Sequence, residues 1–169
     1  MSPLIETIYD LASGQEAIRR RPYGVIEVRE GRLARIVFRP WPKLFSNDDV
    51  AWRGQFSTRG LLRDACRLYF NQPMAHRNFL ALKYIVSNFG TTFATIRRAM
   101  LVLDEIARIK QSDAIVAHVA SPQISDRLMR RWGWERHLEH SSRRQFIKRF
   151  YGAYPQLESA SRRQLKPDA

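Results

Sequence analysis

The sequence predicts an α/β fold: a mixed central sheet flanked by helices on both faces. Three observations predict it. Gly90–Tyr151 passes from a helical apolar period to a short β-branched run, back to a helical period, and then to a two-residue alternation. Gly24–Phe38 carries the pattern of a β-hairpin around Glu30-Gly31. The chain has 169 residues, 44% of them apolar, enough to bury about two-thirds of the surface it would expose unfolded.

Taken in order, Pro3–Leu11 predicts a first helix with Leu4, Ile8 and Leu11 on one side, ended by Ser13-Gly14. Arg19-Arg20-Arg21-Pro22 reads as a basic connector. The hairpin runs Gly24–Arg29, turn, Arg32–Phe38, because glycine takes positive φ cheaply and the flanks are rich in Val, Ile and Phe. Pro40-Trp41-Pro42 breaks the second strand. Residues Lys43–Gln55 form a long loop that includes Trp52. Phe56–Phe70 predicts a helix, with Leu61, Leu62, Ala65, Leu68 and Tyr69 inside and Arg59, Arg63 and Arg67 in a row outside. Asn71-Gln72-Pro73 stops it. Met74–Val86 fits a buried strand or part of a helix, and a strand over Leu80–Ser87 is preferred.

The second half is clearer. Thr91 or Thr92 caps a helix after Gly90, and Phe93, Ile96, Met100, Leu103 and Ala107 form its buried stripe. Arg97, Arg98, Asp104, Glu105 and Arg108 fall largely on the other side, and Lys110–Ser112 ends the helix. Ala114–Val119 suits a strand covered on both faces. Ser121 as N-cap and Pro122 at the first helical position open a second helix, with Ile124, Leu128 and Trp132 inward and Gly133 as a left-handed stop. Glu135–Leu138 and Arg144–Tyr151 predict the closing strands, with a turn at His140–Arg143.

A long helix, a strand, a helix ending in Leu-Met-Arg-Arg-Trp-Gly-Trp-Glu-Arg-His and a closing strand pair resemble the second half of the GCN5-related N-acetyltransferase (GNAT) fold. The aromatic-Gly-aromatic-Glu step of Ile124–His137 carries the resemblance, which spans residues 80–151. It implies a single GNAT-like domain over residues 1–155, followed by a basic, flexible tail at 156–169. It also implies an acyl-CoA-dependent N-acyltransferase, or a diverged relative, using acetyl-CoA or another acyl-CoA. Two departures stand out. The family's pyrophosphate turn, Gln/Arg-x-x-Gly-x-Gly/Ala, is replaced by Ser87-Asn88-Phe89-Gly90-Thr91-Thr92, with one glycine. A helix at Phe56–Phe70 would also interrupt three strands that the family runs in succession. The implied cofactor site is Phe89, Gly90, Thr91, Thr92 and Arg97, with Arg98 as an alternative to Arg97. There the helix amides and the positive end of the dipole would meet phosphates.

The formal charge is +13, supplied almost wholly by arginine, whose planar fork suits phosphates. That balance fits either a solubilising surface or an anionic partner: a CoA-type cofactor or nucleic acid. Arg127, Arg130, Arg131, Arg136, Arg143, Arg144, Lys148 and Arg149 interleave with Trp132, Trp134, Phe146 and Phe150. They either hold and stack nucleic acid or point cations to water and aromatics to the core. The alternative function is therefore a non-enzymatic nucleic-acid-binding protein using this third of the chain.

No residue emerges as catalytic. His118, on a strand among apolar residues, reads as a satisfied core histidine, or as a group bordering the cleft that the resemblance implies. Asp126 reads as stabilising its own helix start, and Glu135 as pairing with an arginine. Tyr151 and Tyr154 have no assigned place. Cys66 and Ser57 read as structural. His137 and His140 lack companion ligands, so no metal site is predicted. A lone cysteine, no apolar run long enough to span a membrane and no signal-peptide pattern point to a cytoplasmic protein.

Overall fold

Glu30 and Gly31 both adopt positive φ, 49° and 71°, as a two-residue turn matched to strand twist requires. They join β2 (Tyr23–Arg29) to β3 (Arg32–Arg39), as the sequence predicts. The computed structural model describes residues 4–41, 64–87, 89–119, 124–138 and 144–157. Around this hairpin it builds one eight-stranded sheet with β1 (Glu6–Ile8), β4 (Ala65–Asn71), β5 (Phe79–Ser87), β6 (Ala114–His118), β7 (Glu135–His137) and β8 (Gln145–Arg149). The order is β1-β3-β2-β4-β5-β6-β8-β7. Every pairing is antiparallel except β5 with β6.

The described helices are α1 (Gln15–Arg20), α2 (Phe93–Ile109) and α3 (Asp126–Arg131). Ala17 and Ile18 of α1, Met100, Leu103 and Ile106 of α2, and Met129 with Trp132 at α3 share one core cluster. Ile26, Val28, Leu68, Phe70, Leu80, Ile115 and Phe146 bring the same face of the sheet into it. Among the described residues the helices thus lie on one face of the sheet, not on both.

α2 and α3 end alike. Ser112 N–H reaches Ala107 C=O at 2.8 Å and Trp134 N–H reaches Met129 C=O at 3.0 Å. In each case a left-handed residue intervenes, Gln111 (φ 55°) or Gly133 (φ 84°), which is the Schellman closure. The predicted stops at Lys110–Ser112 and Gly133 hold. α2 itself is wrapped: ten of its residues are buried, Asp104 included. Phe93, predicted on its buried stripe, is instead exposed.

Three expectations fail. Residues 6–8 form β1 on the edge of the hairpin, with Ile8 opposite Ile36, instead of lying in a helix. Gly14 precedes α1 where the sequence reading had it end a helix. Ala65–Asn71 is strand, not helix: Cys66, Leu68 and Phe70 face the core while Arg67 lies opposite Glu27. The remainder of the predicted helix and the long loop, residues 42–63, lie outside the described residues. With β4 in place, β2, β3, β4 and β5 follow one another with no described helix between them, which removes the second departure from the family pattern among the described residues. Finally, α3 starts at Asp126 with Ser125 as cap, its side chain accepting from Leu128 N–H at 3.2 Å. Ser121 and Pro122 are outside the described residues, as are His140–Arg143 and 158–169.

Candidate functional site

The parallel pair β5/β6 is joined over only four residues, from Phe79↔Ala114 to Leu82↔Ala117. β5 then continues to Ser87, while β6 ends at His118. The divergence has a local cause. On the other side of β5, Phe70 pairs with Leu82 but Tyr69 pairs with Tyr84, so Lys83 is an extra residue. A bulge bends its strand and increases its twist. Beyond it, Lys83–Ser87 follow β4 and have no strand on the β6 side among the described residues. The result is a fork with its crotch at Leu82 and Ala117.

α2 begins at the open end of this fork. Thr92 caps it, its Oγ1 accepting from Thr95 N–H at 3.2 Å. Thr91 Oγ1 donates to Ala65 C=O at 2.7 Å. Gly31 N–H donates to Thr95 Oγ1 at 2.9 Å, tying the hairpin tip to the helix. The predicted site residues Gly90, Thr91, Thr92 and Arg97 therefore gather at this one end, with Phe89 fully exposed beside them. One participant went unforeseen. Asp64 takes Thr92 N–H at 2.8 Å and Thr92 Oγ1 at 3.1 Å. Burial pushes the Asp64 carboxyl up, but the hydrogen bonds from Thr92 and Thr95 outweigh it and hold the group below its ordinary range. A carboxylate of the chain itself thus occupies part of the helix's positive end. Among the described residues, the N–H groups of Phe93 and Ala94 have no acceptor.

Arg97 lies one turn further in, half-buried, its guanidinium 6.0 Å from the centre of the Trp132 ring. Its Nη1 and the Nε of Arg98 have no hydrogen-bond partner among the described residues. Burial lowers Arg97's pKa, and Asp104 offsets this only in part. Asp104 itself is 1% exposed, contrary to its predicted place on the outer side of α2. It accepts from Lys148 Nζ of β8 at 2.7 Å. Burial raises Asp104 and lowers Lys148, each against the attraction of its partner.

The basic–aromatic third of the chain separates cleanly. Trp132, Trp134, Phe146 and Phe150 are all buried, so none offers an open face for a base to stack on. Arg136 and Arg144 converge on Asp126 at 2.7 and 2.6 Å. Arg149 meets Glu135 at 2.7 Å, the arginine pairing expected for that residue. Arg127, Arg130 and Arg131 lie exposed on α3, and Arg143 is outside the described residues.

His118 is exposed, not a core histidine. It stands at the end of β6, one residue past the crotch, and shares a cross-strand row with Gln145 and His137. Ile115 and Lys148 pair on the helix face, so alternation puts His118 on the helix-free face. Among the described residues no three His, Cys, Asp or Glu side chains gather as a metal site. Cys66 is buried in β4, and burial pushes its thiol up to about 12, far from a reactive thiolate. Tyr151 and Tyr154 sit at the opposite end of the sheet, where Phe150 N–H bonds Asp113 C=O and Tyr154 Oη bonds Ser112 C=O. No described helix is long and apolar enough to cross a membrane.

No family model matches the chain, and no curated protein matches it. A crystal structure of nourseothricin acetyltransferase is similar at 14% identity, covering 87% of this chain and 99% of that one with a TM-score of 0.41.

Proposed function

We propose that the chain is an acyl-CoA-dependent N-acyltransferase, with acetyl-CoA or another acyl-CoA bound in the β5/β6 fork. The observation that carries this is the fork itself: a parallel pair parted by a bulge, with a helix start and two under-bonded arginines at its mouth. An extended amide-bearing chain can add to a strand edge by main-chain hydrogen bonds, and β5 offers such an edge over Lys83–Ser87. Five residues of strand span about 16 Å, which separates an anion site at the mouth from the crotch. Phe93 and Ala94 N–H, with Arg97 or Arg98, would hold the phosphates there, alongside Gly90, Thr91 and Thr92. Phe89 would border them.

Bound acyl-CoA supplies an acyl thioester, whose C–S bond breaks as the acceptor's N–C bond forms, the proton lost by the amine passing to the thiol. The chain's part is to orient the two partners and to take that proton from nitrogen. His118 is the group placed for it, an exposed imidazole one residue beyond the last β5–β6 pair. The nucleic-acid alternative loses its stacking platform, since its four aromatics are buried.

The test is a pair of thermal titrations, with acetyl-CoA and with a short RNA, at low and moderate salt. A ligand of the folded state raises Tm by mass action. The proposal predicts a saturable rise with acetyl-CoA that Arg97→Ala diminishes by about tenfold in affinity, roughly the weight of one charge-assisted contact. No rise with acetyl-CoA, together with a salt-sensitive rise with RNA, overturns it.

A further inference from the structure

The helix-free face of the sheet holds a second feature that the fork alone does not explain. A pocket of about 240 Å³, counting its open mouth, is lined by Tyr23, Arg39, Trp41, Tyr69, Lys83 and Tyr84 among others. Register places it. Arg39, Tyr23 and Asn71 form one cross-strand row, and Val25, Tyr69 and Tyr84 the next. The pocket therefore crosses β3, β2, β4 and β5 and abuts the fork at the bulged Lys83. His118 stands across the fork on the same face.

Its chemistry is one-sided. Four aromatic rings and two cations line it, and no acid does. Tyr69 and Tyr84 meet edge to face, 6.2 Å between centroids, and Trp41 is 65% exposed. Arg39 and Lys83 have no acidic partner among the described residues. Beside the pocket, Glu27 is the one acid within β2–β5, and it is consumed by Arg29, Arg35 and Arg67. Five cations thus face one carboxylate on this side of the sheet.

The geometry points to this pocket as the acceptor subsite, taking a small aromatic amine that carries a single negative charge. The inference rests on the acyl-transfer reading above. Size and charge select the class. Its 240 Å³ falls below the roughly 300–1,000 Å³ typical of sites for drug-sized ligands, so a single substituted ring fits and an oligosaccharide or a polyamine does not. Rings pack against the aromatic walls, and a carboxylate meets the forked guanidinium of Arg39 or the ammonium of Lys83.

An isosteric series tests it by calorimetry on the full chain: 4-aminobenzoate, 4-aminobenzamide and 4-aminobenzamidine, identical in shape and stepped in charge. Affinity should fall in that order. Arg39→Ala and Lys83→Ala should each weaken 4-aminobenzoate about tenfold and compress the series, with melting curves confirming that both variants fold. The inference is overturned if the amidine binds best, if no member binds, or if neither substitution alters the order. Acetyl-CoA titrated alone separates the two ideas. If the benzoate binds as expected and acetyl-CoA does not, the ligand class stands and the acyl-transfer reading falls. If acetyl-CoA binds and the series fails, the reverse holds.

Discussion

At the scale of residues, the mouth of the fork is a contest between two anions. Asp64 already accepts from Thr92 N–H and Oγ1, satisfying one orphan donor of α2 as a good cap does. A bound phosphate would have to share that terminus. Asp64→Asn keeps the acceptor oxygen and removes the charge. It should lower stability by about 1 kcal/mol or less in urea unfolding, through the weakened cap, while tightening acetyl-CoA several-fold. Unchanged or weaker acetyl-CoA binding would place the phosphates elsewhere. Asp64 was illegible in the sequence for a plain reason. Residues 61–70 carry apolar side chains at helical spacing, and that spacing buries Asp64 in the middle of a helix. The competing two-residue alternation of Cys66, Leu68 and Phe70 wins because Arg67 finds Glu27, forty positions away in sequence.

At the scale of elements, α2 was the most legible part of the chain. Seventeen residues of sustained period, a threonine cap and a polar stop leave few alternatives. What the period could not show is that α2 is buried nearly all round. Asp104 faces Lys148 of β8, a partner forty-four positions on that only the sheet order brings near. The helix's far end shows a similar long-range tie. Lys110 Nζ donates to Arg21 C=O and to Gln72 Oε1, both at 2.9 Å, and burial lowers its pKa from 10.5 to about 8. Between those values the unfolded chain holds more protons than the folded one, so this group makes stability rise with pH. The difference in Tm between wild type and Lys110→Met should accordingly climb from pH 8 to 10.5 in favour of wild type and stay flat below 8. A difference independent of pH across that window would show the amine to be protonated throughout.

At the scale of the whole molecule, charge and topology divide the protein into two sides. One face of the sheet carries all described helices and the core. The other carries the arginine-ringed Glu27, the aromatic pocket and His118. The sequence conveyed the order of elements from residue 79 onward, because each strand there is bounded by turn chemistry and each helix by a cap. It did not convey which strand borders which, nor the bulge at Lys83. A charged residue inside Phe79–Val86 was the one local hint of that bulge, and it is the bulge that opens the fork. Burial of Trp132, Trp134, Phe146 and Phe150 likewise depended on which way each strand faces, a choice the basic–aromatic alternation left open. A formal charge of +13 is thus partly spent inside the fold, on Asp126, Glu135, Asp104 and Glu27.

The central claim is that the parted strand edge is the ligand-binding element. Residue-resolved amide hydrogen exchange, with and without saturating acetyl-CoA, addresses it directly. The account predicts slowed exchange at Lys83–Ser87 and at Phe93 and Ala94, with β7 and β8 unchanged. Protection confined to α3 and β8, or none anywhere at saturation, would contradict it.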